Sequence, residues 1–174
     1  MKRIPALILA ICLLCTMATA FADDVVFATD WYSVKLPEGD WQKAEGDEGI
    51  TYYYLDGNVM NGAIMFVSQD LDPETAATLT EGMLPVLYNS MIQTLAAYAV
   101  DGKVDEEDSV VAGRPGKIFS YVQEADGLKV NVIGNCVYID GHLLALCYMH
   151  LTKPVEEIRE VLTELSDSVV YLGE

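Results

Sequence analysis

Cys136 and Cys147, with His142 and His150, are the side chains of this sequence best suited to covalent or metal chemistry, and all four fall in one stretch, LKVNVIGNCVYIDGHLLALCYMH, from Leu128 to His150. Apolar residues fill both alternating positions, so the stretch reads as two β-strands folded over a tight turn at Asp140-Gly141. With Asp140 and Gly141 as the central turn residues, Cys136 faces Ala145 and Cys147 faces Gly134. That places the sulfurs on a diagonal too long for an unstrained bridge. With Gly141 and His142 central, the cysteines lie directly opposite each other. Both registers keep the same faces, and the residues do not choose between them. An oxidising compartment favours a Cys136–Cys147 disulfide.

The histidines stand at opposite ends of one strand, about 25 Å apart at ~3.3 Å per residue, so they cannot share a site. Each reads as a surface or strand-end residue. There is no Gly-x-Ser-x-Gly elbow, Cys-x-x-Cys pair, His-Glu-x-x-His helix or phosphate-binding glycine loop. Catalysis is therefore not expected, and neither is a cofactor. Asp101 and the run Asp105-Glu106-Glu107-Asp108 offer the carboxylates that calcium prefers, but without the spacing of a calcium loop. They read as a solvated connection, with no metal site expected. Trp31, Tyr32, Trp41 and Tyr52-Tyr53-Tyr54 crowd the N-terminal third. Alternation puts Tyr52 and Tyr54 on one face and Tyr53 on the other, so at least one side packs into a core. Trp31, Tyr32 and Tyr53 are the candidates for an aromatic binding surface.

Charge and the N-terminus bound the partners. Lys2 and Arg3 precede an apolar run, Ile4 to Cys15, and Ala20-Phe21-Ala22 has the small-x-small form of a signal-peptidase site. Residues 1–22 are expected to be a signal peptide, and residues 23–174 one domain, secreted or periplasmic. The apolar run is short for a bilayer span of about 20 residues. Cys12 follows Ile11 and Cys15 follows Leu14, so neither has the small preceding residue that lipid attachment requires. Of 174 residues, ten are basic and 27 acidic. Losing the first 22 removes two of those bases, so the remainder is more acidic still. Such a surface repels phosphates, which opposes nucleic acid and anionic lipid as partners and is compatible with basic partners or bound cations.

The elements that would position these residues follow from period and punctuation. Strands are expected over Trp31 to Leu36, from Trp41, over Ile50 to Leu55, Gly62 to Gln69 and Lys117 to Glu124, and then in the hairpin. Asp72-Pro73-Glu74 is a helix start, and Leu84, Tyr88, Met91, Leu95 and Tyr98 form a stripe beyond it. Pro85 should kink that run or divide it into two abutting helices. Pro154 opens a last helix with Val155, Ile158, Leu162, Leu165 and Val169 as its buried stripe. A hairpin apolar on both faces must be covered on both. The expected fold is α+β: an α/β/α sandwich with a central antiparallel sheet.

Three phrases in order carry a resemblance. They are Tyr32-Ser33-Val34-Lys35-Leu36-Pro37 with Trp41 after it, Val111-Ala112-Gly113-Arg114-Pro115-Gly116-Lys117 leading into an aromatic strand, and the apolar strands across Asp140-Gly141 with a closing helix that ends Leu165-Ser166-Asp167-Ser168-Val169. Over Trp31 to Leu172 the chain resembles the PsbP-like fold family, including bacterial exported proteins related to DcrB. The resemblance implies an α/β/α sandwich and a binding or assembly role rather than catalysis. The matched residues are architectural, so no relative's specific role transfers. The expectation is a non-catalytic exported factor acting on another envelope protein, with a small-ligand or cation-binding periplasmic protein as the alternative.

Overall fold

A computed structural model of the chain describes residues 26–46, 49–97, 99–125 and 127–173. The expected signal peptide and Tyr98 lie outside the described residues. The strands are β1 Val26–Ala28, β2 Tyr32–Lys35, β3 Trp41–Glu45, β4 Ile50–Leu55, β5 Ala63–Asp70, β6 Asp105–Val111, β7 Arg114–Ala125, β8 Leu128–Ile139, β9 His142–His150 and β10 Val170–Tyr171. The helices are α1 Pro73–Thr78, α2 Leu84–Leu95 and α3 Val155–Asp167. Seven strands form one sheet in the order β3-β4-β5-β9-β8-β7-β6, and β1, β2 and β10 form a second of three. Every described pairing of named strands is antiparallel.

The hairpin sits where its apolar faces demand, at the centre of the large sheet. Its Ile133, Val137 and Ile139 enter one core with Phe66, Leu144 and Leu146, under α3 and the small sheet. Its Val132 and Cys136 enter a second core with Phe119, Tyr121 and Cys147, under Tyr88, Met91 and Ile92 of α2. Both faces are covered, which makes the α/β/α sandwich expected from the residues.

Local chemistry explains the helix starts. Asp72 caps α1, its Oδ1 accepting the Thr75 N–H at 2.9 Å, and Pro73 takes a first-turn position that needs no N–H. The chain breaks at Leu79–Thr80 and turns once through Glu81–Met83 before α2 begins, with Pro85 in its first turn. The run is thus two abutting helices, but the break lies upstream of Pro85, which occupies the first turn of α2 where it lacks no needed N–H. Of the expected strand boundaries, β7 departs most. The turn is Ala112–Gly113, with φ of 49° and 74°, and Arg114 and Pro115 already pair with Val111 and Val110. Two positive φ values in a two-residue turn match the right-handed twist of the strands on either side.

The acidic run is a second correction. Asp105–Asp108 does not form a solvated connection but the first half of β6, paired residue for residue with Ser120 to Lys117. Charged side chains are tolerated because β6 is an edge strand whose exposed residues meet water. β1 and β10, at three and two residues, carry no readable period, yet they flank β2 through Val26↔Lys35 and Val170↔Ser33.

Candidate functional site

The cysteines are scaffold. Cys136 pairs with Ala145 and Cys147 with Gly134, the diagonal register, and both are free thiols. The disulfide favoured by the compartment argument is not formed, because the turn is Asp140–Gly141, with φ of 45° and 101°. Burial pushes both thiols up, Cys147 to about 12 and Cys136 well above the usual range, with the Cys147 charge a lesser cause at Cys136. Neutral thiols at any physiological pH are poor nucleophiles.

The aromatic candidates are likewise internal. Trp31, Tyr32 and Tyr53 are all buried in the core beneath α3 and the small sheet. The expected aromatic surface is corrected by that small sheet: β2 lays Tyr32 against Trp31 at 4.4 Å and Phe27 at 5.7 Å, and β1 stacks Phe27 on Phe66 at 4.5 Å. Trp41 is also buried, its Nε1–H donating to the Pro37 carbonyl at 2.8 Å. Tyr52 and Tyr54 stack at 6.2 Å on the opposite, partly open face.

The histidines stay apart, at the two ends of β9. His142 stacks on Trp31 at 4.4 Å and places Nδ1 2.8 Å from Asp70 Oδ1. His150 is buried, and its Nδ1 accepts the N–H groups of Thr152 and Lys153, both at 3.1 Å. Burial is the main cause holding its pKa below the usual 6.5, with Lys153 adding to it. The Thr152 hydroxyl stands 3.4 Å from His150 Nδ1, a nitrogen whose acceptor capacity the two backbone N–H groups already use. Among the described residues no group of three or more His, Cys, Asp or Glu side chains is arranged to hold a metal ion.

One concave polar surface lies beside Trp31 and Asp70, about 550 Å³ in volume, and a larger one lies where β6 and β7 meet the start of α3. Two adjoining lobes, of about 610 and 470 Å³, share Asp105, Ser120, Asn131 and Val155. The larger adds Glu106, Glu107, Pro154, Glu156 and Arg159, and the smaller adds Lys103 and Lys129. Arg159 bridges Glu107 with two hydrogen bonds, of 2.8 and 3.3 Å, tying α3 to the sheet edge. Asn131 Nδ2 donates to the Lys153 carbonyl at 2.8 Å, which fixes the amide with its oxygen available as an acceptor. Farther along the same face, Ser109 Oγ donates to Asn135 Oδ1 at 2.7 Å, and Asn135 Nδ2 donates to Ser166 Oγ at 3.2 Å. Of these residues the sequence marks only Asp105, Glu106 and Glu107 as candidate ligands. Ser120 carried a readable signal: in KIFSYVQE it is the polar member of the set Ile118, Ser120, Val122 that faces α3.

The arrangement supplies hydrogen-bond acceptors and fixed charges without a nucleophile and base in contact. It is suited to binding. Among the described residues no helix is long and apolar enough to cross a membrane.

No family model matches the sequence, and no curated protein matches it. Solved structures do match. The solution structure of cyanobacterial PsbP (CyanoP) from Synechocystis sp. PCC 6803 superposes with a TM-score of 0.63 at 11% identity, over 88% of this chain and 95% of that one. A crystal structure from Bacteroides thetaiotaomicron gives 0.58 at 10% identity, over 87% of this chain and 50% of the other. A protein of unknown function from Pseudomonas aeruginosa gives 0.51 at 9% identity, over 87% and 99%. The chain has a PsbP-like α+β fold, and at these identities the likeness concerns the fold alone.

Proposed function

We propose that this protein is a non-catalytic binding or assembly factor that is exported and acts in the cell envelope on another envelope protein. One observation carries the reading: the open cleft beside β6 gathers Asp105, Ser120, Asn131 and Arg159 at a free sheet edge, while the cysteines and His150 are committed to the interior. Groups held this way recognise a partner's polar surface. They supply no activated nucleophile and no general base poised beside one. The charged n-region, apolar run and Ala20-Phe21-Ala22 of the N-terminus support export. The acidic composition supports a partner that is neither nucleic acid nor anionic lipid.

The test is affinity capture. Protein lacking residues 1–22 is immobilised and exposed to solubilised envelope from its own source. A specific retained protein, competed away by the free form, is expected. Retention of no protein, with a thermal-shift screen instead returning a tightly bound small molecule, overturns the reading.

A further inference from the structure

We propose that the free edge of β6, with the cleft beside it, docks an extended basic segment of a partner polypeptide, which joins the sheet as an added strand and places a lysine or arginine head group in the cleft. This deepens the binding role above and rests on it.

The edge is built to accept a strand. β6 ends the seven-strand order, and its residues Asp105 to Val111 pair one-to-one with β7, with no bulge, proline or glycine. A regular edge of this kind leaves a row of backbone donors and acceptors open to an added chain. The opposite edge, β3, is shorter, at five residues, and carries Lys43.

Charge selects the occupant. Glu107 is held by Arg159 and Asp108 by Lys117, at 2.8 and 3.0 Å. Asp105, Glu106 and the nearby Glu156 have no basic side chain within ion-pair distance among the described residues. An edge with this surplus repels a second copy of itself and attracts a basic strand.

The cleft supplies an independent observation. Ser120 is only 7% exposed, makes no side-chain hydrogen bond to any described residue, and lines both lobes directly opposite Asp105 in the strand register. The Ser120 hydroxyl, which opens onto the cleft, stands with the Asp105 carboxylate and the Asn131 amide oxygen in a set richer in acceptors than in donors. An ammonium or guanidinium brings several donors and no acceptor. Asp101 and the shared Asp105 offset Lys103 and Lys129 in the second lobe, whereas the first carries Glu107 and Glu156 besides Asp105 against Arg159, so a cationic group is favoured in the first.

The probe is a fluorescent ten-residue peptide of alternating Lys and Thr, titrated by anisotropy against protein lacking residues 1–22. It is expected to bind, and its Glu-Thr counterpart is not. A fully N-methylated Lys-Thr peptide keeps the charge but loses the backbone donors, so it should bind roughly tenfold more weakly. The double variant Asp105→Asn/Glu106→Gln should also weaken the parent peptide roughly tenfold. Glu74→Gln, an equally exposed charge on α1, should not change it. Circular dichroism checks that both variants fold. Equal binding of the N-methylated peptide, equal binding to the double variant, or no binding of the parent peptide overturns the proposal. A photo-crosslinker at Val110 on β6, compared with one at Val86 on α2, separates this from the broader role. A captured envelope protein that crosslinks only from Val86 leaves the binding role standing and overturns the docking site.

Discussion

Gly134 on β8 lies directly opposite Cys147 on β9, and a Cβ placed on that glycine would come 2.3 Å from Phe119 Cζ and 2.9 Å from Cys147 Sγ. The missing side chain is what lets Phe119, fully buried on β7, lie across the middle of the hairpin. Gly134→Ala must displace a ring that has nowhere to go. A loss of about 2–3 kcal/mol is expected, measured by urea unfolding.

The same diagonal governs the thiols. Cys147 faces Gly134, not Cys136, and burial holds both thiols protonated. In native protein lacking residues 1–22, Cys136 and Cys147 should not react with an aromatic disulfide reagent at pH 8. Both should react once denaturant is added. Prior incubation with oxidised glutathione should leave the intact mass unchanged, and a loss of two hydrogens would contradict the register.

Tyr32 carries a cost that a single substitution removes. Its hydroxyl is fully buried without a hydrogen-bond partner, and burial raises its pKa, with Tyr53 a lesser cause. An unsatisfied buried hydroxyl forfeits its hydration with nothing in exchange. Tyr32→Phe should therefore stabilise the protein by about 1 kcal/mol, seen as a higher Tm.

His150 gives stability a pH dependence with a definite sign. Its folded pKa lies below the ordinary 6.5, chiefly through burial, so the unfolded chain binds the proton more readily. The contribution is complete above the unfolded value. It is lost as pH falls from about 6.5 through the lower folded value. His150→Asn keeps an acceptor near Nδ1 but cannot titrate, so its unfolding free energy should fall less between pH 7.5 and 5. Chemical denaturation across that range measures the difference.

Much of the fold was legible because it follows from short-range rules. The alternation at Leu128–Ile139 and His142–His150 required cover on both sides, and the spacing of Ile158, Leu162 and Leu165 placed the stripe of α3 against the sheet. Asp72 and Pro73 marked a helix start because capping acts within one turn. In the cleft, Ser120 was a polar residue on an apolar face, a signal visible only once its strand is set against α3.

The residues by themselves determined that the hairpin would be central, that helices would cover it, and that no catalytic pattern was present. Tertiary structure decided the rest. A side-chain period of two leaves both hairpin registers with the same faces, so only the Asp140–Gly141 turn geometry separates the cysteines. β1 and β10 are too short to show a period, yet they bury Trp31, Tyr32 and Tyr53, because pairing with β2 is a contact between distant parts of the chain. Asp105–Asp108 forms a strand only because β7 lends it hydrogen-bond partners, and that pairing turns a run of charge into an open sheet edge.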